Sequence, residues 1–254
     1  MESQSFLTVD GEPISLQQSL MYLRATGRLE PFISDILRQY VTEREIKRRE
    51  DIAIEPGTIE QSIIDFRLEN QLTDAKKFQD WLNSNGLDFS TFHSQVAARF
   101  QQAKLKEVVT KDKLSEYFIE RKIFLDRVVL SRIVVEQKEL AAELYSQLTE
   151  EEASFEELAE EYSLAEESVA GGMMGPVSKG TLPEELRAAV DAAVLGTVLK
   201  PLELEEKWCI FRVGKFLETS LENQQVQQIL REELFEKWLG EQIQNMQIQV
   251  QMNS

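Results

Sequence analysis

Three kinds of residue in this chain carry side-chain or backbone chemistry that could act on a substrate: its one cysteine, its one histidine and a tight group of glycines. Cys209 would serve as a nucleophile only beside a base that draws off its proton. It stands instead in the apolar run WCIFRV with no histidine near it, where a small buried thiol is the plainer expectation. His93 lies one residue beyond an apolar helical stripe and has no partner in view that would make it a ligand or a base, so it reads as a surface or boundary side chain. Gly171, Gly172 and Gly175 in AGGMMGP could cradle a phosphate through their amides. Their spacing, however, fits neither G-x-G-x-x-G nor G-x-x-x-x-G-K-[ST], and the neighbourhood is acidic. They are expected to supply positive backbone angles or close approach, with Pro176 stiffening the exit.

Composition narrows the field further. The chain has 254 residues, 42% of them hydrophobic, and a net charge of -17. It is long enough for one large or two ordinary domains with true cores. The negative charge sets it against nucleic acid, whose phosphates it would repel, and favours neutral or basic polypeptide partners. One cysteine allows neither an intramolecular disulfide nor a cysteine-rich metal site. The REIKRRED stretch is the most basic patch and reads as a solvated helix end complementing the dipole. No run approaches the ~20 apolar residues of a membrane span, and MESQSFLTVDGEP is not patterned as a signal peptide. The expectation is a soluble protein of a reducing compartment, cytoplasmic, without membrane insertion.

The elements that must position any site lie in residues 128–214. A strand over 128–135 leads into a glutamate-rich helical pair over 136–162, then the glycine turn, a short helix after Pro183 and a closing strand over 208–213 that pairs with the first. Ser154 and Glu157 form a capping box, S-x-x-E, for the helix carrying Phe155, Leu158, Ala159 and Tyr162. Before this stretch the pattern is helical apart from a short edge strand over 5–9 turned by Asp10-Gly11. Ser15 caps a first helix ended by Gly27, a second begins near Pro31, and a third follows Pro56-Gly57. A fourth, capped by Asp74, stops at Asn85-Gly86; a fifth starts at Asp88 or Ser90. From Leu217 a helical stripe of Val226, Ile229, Leu230, Leu234, Trp238 and Ile243 returns, and 246–250 alternates as a strand would. Such a terminal helix needs the N-terminal helices for cover. The expected architecture is therefore α+β: a mostly helical, discontinuous domain (1–126 plus 217–254) with a small α+β domain (127–216) inserted.

The order SFEELAEEYS, GGMMGPVSKGTLPEEL and LGTVLKPLELEEKWCIFRV resembles the parvulin family of peptidyl-prolyl isomerases. FEELAEEYS, the G-x-x-G of Gly172 to Gly175, Ser178-Lys179-Gly180 and Pro201 carry the resemblance. The flanks, with EPGTIEQSI and WLNSNGLDFSTF, look like the SurA and PrsA class of parvulin-containing chaperones. The resemblance implies a rotamase-type inserted domain beside a chaperone-like helical one. It implies unfolded or extended polypeptide clients, with export cargo or a second copy of the chain as further partners.

Isomerisation about X-Pro needs an apolar seat for the proline ring and surroundings that favour the twisted amide, with no covalent step and no cofactor or metal. By resemblance the seat falls on Met174, Val177, Leu182 and Leu186, side chains that would serve equally as ordinary core. Val177 and Leu186 replace aromatic residues usual in the family, implying a shallower or wider pocket. The polar positions are all changed in type. The paired histidines of the first and last strands read Arg132 and Cys209, and the cysteine or aspartate after the helix end reads Ala165. Small hydroxyl residues before the last strand become Leu204 and Glu206. The catalytic positions Arg132, Ala165 and Cys209 thus point to a foldase of weak or lost isomerase activity. An active isomerase with a substituted site, or a non-catalytic adaptor for one partner, remains the alternative. Between residues 136 and 167 twelve glutamates meet one lysine, which argues against phosphoserine-proline recognition.

Overall fold

The computed structural model describes residues 5–249 and divides into two compact units, Met1–Lys113 with Arg231–Ser254, and Leu114–Leu230. The fold is α+β, with a helical discontinuous unit and a sheet unit inserted into it. No helix among the described residues is long and apolar enough to cross a membrane.

The helical unit opens with a hairpin of β1 (Ser5–Val9) and β2 (Glu12–Ser15) and continues through α1 (Leu16–Ala25), α2 (Leu29–Arg48), α3 (Pro56–Glu69), α4 (Ala75–Ser84) and α5 (Phe89–Thr110). Ser15, Asp74 and Asp88 cap α1, α4 and α5 by accepting the amide N–H three residues on. The α3–α5 core is aromatic, with Phe66 edge-on to Trp81 at 5.1 Å over Ile63, Phe78 and Phe92. A second core joins Val41, Ile52 and Leu105 to Phe235 and Leu239 of α10 (Gln224–Gln244), so the terminal helix does return to the N-terminal ones. Arg38 forks onto Glu236 across that contact. His93 sits 3.2 Å from Glu60 on the surface of the α3–α5 bundle. The alternation over 246–250 does not make a strand where it is described: 245–246 turn out of α10, no strand lies alongside, and Met246 packs on the helical core instead. Val250 lies outside the described residues.

The sheet unit holds α6 (Leu114–Leu125), β3 (Arg127–Val135), α7 (Lys138–Thr149), α8 (Phe155–Tyr162), β4 (Met173–Ser178), α9 (Glu184–Asp191), β5 (Leu202–Leu204) and β6 (Lys207–Leu217). Strand order is β4-β3-β6-β5, antiparallel throughout. β3 is central and rich in β-branched residues, so both faces are covered. Ile133 and Val135 meet Phe155 and Leu158 of α8 and Leu144 of α7 on one face. Val128, Leu130 and Val134 meet Leu182, with Leu186 and Val190 of α9, on the other. Asp126 fixes where β3 begins. Its carboxylate accepts from Lys122 Nζ and from the Thr219 N–H, both at 2.8 Å, while Thr219 Oγ1 donates to the Leu125 carbonyl. These bonds gather α6 and the segment after β6 into the sheet unit.

β4 and β5 are strands that the sequence reading lacked. β4 contains Gly175 and Pro176, and proline is tolerated because β4 is an edge strand. β5 is only three residues long. It joins β6 through Glu205 and Glu206, whose φ values of 50° and 63° make a two-residue turn of the I′ kind without the asparagine or glycine that relieves it. Replacing Glu205-Glu206 by Asn-Gly should therefore raise stability by about 1 kcal/mol. In urea this reads as a higher midpoint at unchanged slope for the sheet unit, and no rise in midpoint would show that the turn carries no strain.

Candidate functional site

The sheet's α9 face opens into a cleft of about 610 Å3. Two backbone devices shape it. In β4 the pairing skips Met174, so that Leu130 faces Gly175 and Ser131 faces Met173. Strict alternation would put Met174 on the same face as Pro176 and away from Val177. The bulge, with Gly175 at φ 77°, turns Met174 onto the cleft side beside Val177. The second device is Gly172, whose carbonyl accepts the Arg132 N–H at 2.8 Å and whose N–H donates to the Glu167 carbonyl at 2.8 Å. A β-carbon there would stand 2.5 Å from the Arg132 carbonyl oxygen. The glycine turn thus carries structure: the Gly171 and Gly172 amides donate within it, to the Ser168 and Glu167 carbonyls.

All seven residues proposed from sequence line this one cleft. Met174 and Val177 are half-buried; Leu182 and Leu186 are 7% and 2% exposed. These four are at once pocket wall and domain core, because the cleft is the solvent-facing edge of the α9-side cluster. Phe211 of β6, not singled out from sequence, adds an aromatic side chain to the lining, whereas the aromatic positions replaced by Val177 and Leu186 lie on β4 and α9.

The polar positions fall on neighbouring strands. Arg132 faces Phe211 and Val134 faces Cys209 in the β3–β6 register. Ala165 is brought over this row by Ser163: the Val134 N–H donates to Ser163 Oγ at 3.1 Å, and the Leu164 N–H donates to the Val134 carbonyl at 2.8 Å. Leu204 lines the cleft and Glu206 does not. Burial pushes the Cys209 thiol up from its ordinary pKa against the smaller lowering effect of Arg132, so the group is a neutral thiol near pH 7. That leaves it unsuited to nucleophilic attack. Among the described residues no group of three or more His, Cys, Asp or Glu is placed to hold a metal ion.

Arg132 is tied down by Glu167, a partner that sequence reasoning missed because it is one of twelve glutamates in that stretch. Nη2 donates to both carboxylate oxygens at 3.0 Å and Nε to Oε2 at 3.3 Å. Glu167 is held below the usual carboxylate pKa first by its own backbone N–H and then by Arg132. A depressed folded pKa adds stability above the unfolded value and loses it as pH falls through the folded one. The fork therefore opens at a lower pH than that at which an unpaired glutamate protonates.

The site is thus an apolar recess in a small antiparallel sheet domain, lined by Met174, Val177, Leu182, Leu186 and Phe211. Residues 132–215 match the rotamase family, described as the PPIC-type PPIASE domain. That segment is a domain of the parvulin type. No curated protein matches the chain. Among solved structures it is similar to the peptidylprolyl isomerase PrsA from Bacillus cereus, at 17% identity and a TM-score of 0.45, covering 98% of this chain and 95% of that one. It is similar also to the foldase protein PrsA from Streptococcus pneumoniae, at 16% identity and a TM-score of 0.39, covering 98% and 96%. A structure reported for two SurA-like chaperones of Campylobacter jejuni, PEB4 and Cj1289, matches at 17% identity and a TM-score of 0.36, covering 97% and 100%.

Proposed function

We propose that this protein is a foldase of the SurA and PrsA kind that binds unfolded or proline-containing stretches of polypeptide in the parvulin cleft, with isomerase activity weak or absent. One observation carries the reading: apolar Met174 and Val177 line an open cleft, while the positions that the resemblance makes polar and catalytic are Arg132, Ala165 and Cys209. Burying a proline ring against the half-buried Met174 and Val177, over a floor closed by Leu182 and Leu186, draws on apolar area alone and survives the loss of a polar network. Acceleration does not, because it requires groups that stabilise the twisted amide more than the planar one.

The test is NMR exchange spectroscopy on a set of X-Pro peptides with varied preceding residues, titrated with the intact protein. Peptide resonances should shift or broaden while the cis-trans exchange rate stays at its unaided value of tens to hundreds of seconds. Acceleration that vanishes on Met174→Glu, with the sheet unit still folded, would establish an active isomerase with a substituted site instead. Peptides left unperturbed, together with no suppression of aggregation of a denatured client, would rule out the foldase reading.

A further inference from the structure

We infer that Arg132, positioned by Glu167, is the donor by which the cleft grips the main chain of its peptide, and that Glu167 tunes the site to neutral carbonyl groups over anionic side chains. This rests on the peptide-binding reading above and specifies its substrate class.

Arg132 stands over the cleft from the central strand, opposite Phe211 and two residue pairs from the Val134–Cys209 floor. The fork onto Glu167 uses Nε and Nη2 only. Among the described residues Nη1 has no hydrogen-bond partner, and the side chain keeps 33% exposure. It is therefore a donor with a fixed plane and a free N–H in a recess that is otherwise poor in donors. Thr181 Oγ1 already donates to the Ser178 carbonyl. Cys209 is buried and neutral. Lys207 is exposed beside the hairpin turn on a flexible stem. A preorganised guanidinium loses little freedom on binding and donates in a set direction.

Charge decides what it donates to. Arg132 alone would draw a carboxylate or phosphate as a bidentate ligand. Glu167 already occupies that side of the fork and cancels the charge, and Glu166 and Glu205 add two more carboxylates to the cleft lining. What remains favourable for Nη1 is an uncharged acceptor, which an extended peptide offers at every carbonyl. Bonding of the X-Pro carbonyl also fits a holder better than a rotamase. In the planar amide the oxygen carries resonance charge that is lost on twisting, so a hydrogen-bond donor there favours the ground state.

The experiment measures Kd by NMR titration for two peptides, one with alanine and one with glutamate before the proline, against wild type, Arg132→Leu, Arg132→Lys and Glu167→Gln. Wild type should bind the alanine peptide about tenfold more tightly than the glutamate peptide. Arg132→Leu should weaken the alanine peptide about tenfold, and Arg132→Lys should weaken it less. Glu167→Gln should reverse or erase the preference by strengthening the glutamate peptide about tenfold, an effect that a merely structural pair would not produce. Amide spectra of each variant report the fold independently. Wild type binding neither peptide overturns the peptide-binding reading itself. Binding that Arg132→Leu leaves unchanged, or a preference that Glu167→Gln leaves unmoved, overturns this assignment alone.

Discussion

Gly172→Ala should destabilise the sheet unit by roughly 3 kcal/mol, the sum of a left-handed backbone penalty and a forced displacement of the central strand. The residue has φ 78°, which an alanine adopts at a cost. Its β-carbon would also stand 2.5 Å from the Arg132 carbonyl oxygen and 3.1 Å from the Ala159 side chain. Neither neighbour can yield cheaply. The Arg132 peptide belongs to the β3 ladder, and Ala159 is fully buried in α8. Against the 5–15 kcal/mol of an ordinary domain this is a large fraction. Amide hydrogen exchange across β3 is the readout, since it reports the sheet unit without requiring both units to unfold together. Gly175→Ala provides the contrast: its φ of 77° is equally unfavourable, but nothing stands within 4 Å of the added carbon. It should cost about 1 kcal/mol. Equal losses of protection in the two variants would mean that contact at Gly172 contributes nothing beyond the backbone angle.

The difference between these two glycines bears on what could be read from the chain. Their spacing and the acidic context argued against a phosphate loop, and positive angles were foreseeable because AGGMMGP has few other uses. The bulge at Met174 was not foreseeable, because a skipped residue is a property of pairing between strands and leaves no local period. β4 was hidden for the same reason: MMGPVS holds a glycine and a proline, both counted against a strand until its place at the sheet edge is known. By contrast β3 and β6 were legible, since a β-branched run such as VVLSRIVV has little alternative to a buried strand. The capped helices were legible too, since Ser15, Asp74, Asp88 and Ser154 act within three residues of themselves. Site residues followed the same rule. The family pattern indicated Arg132, but Glu167 lies 35 residues away among acids of identical type, and only the fold singles it out.

Met174→Glu should abolish measurable proline-peptide binding, weakening it roughly 30-fold or more, with the sheet unit still folded. Met174 is half-buried at the bulge, lines the cleft and is only peripheral to the core cluster. A carboxylate there can turn to solvent in the free protein, so the fold should survive. Seating a proline ring would then desolvate a charge, a penalty of about 2 kcal/mol or more. Leu186→Ala makes the necessary comparison. That side chain is 2% exposed in the α9-side core, and its truncation should cost about 2–5 kcal/mol of stability. Lost binding in Leu186→Ala would thus be confounded with lost structure, whereas in Met174→Glu it would not. Titration of an X-Pro peptide, paired with exchange protection across β3, separates the two. If Met174→Glu binds like wild type, the ring is seated elsewhere and the cleft is only the open edge of a core. If binding is lost with β3 fully protected, the bulge that aims one methionine is what turns that edge into a site.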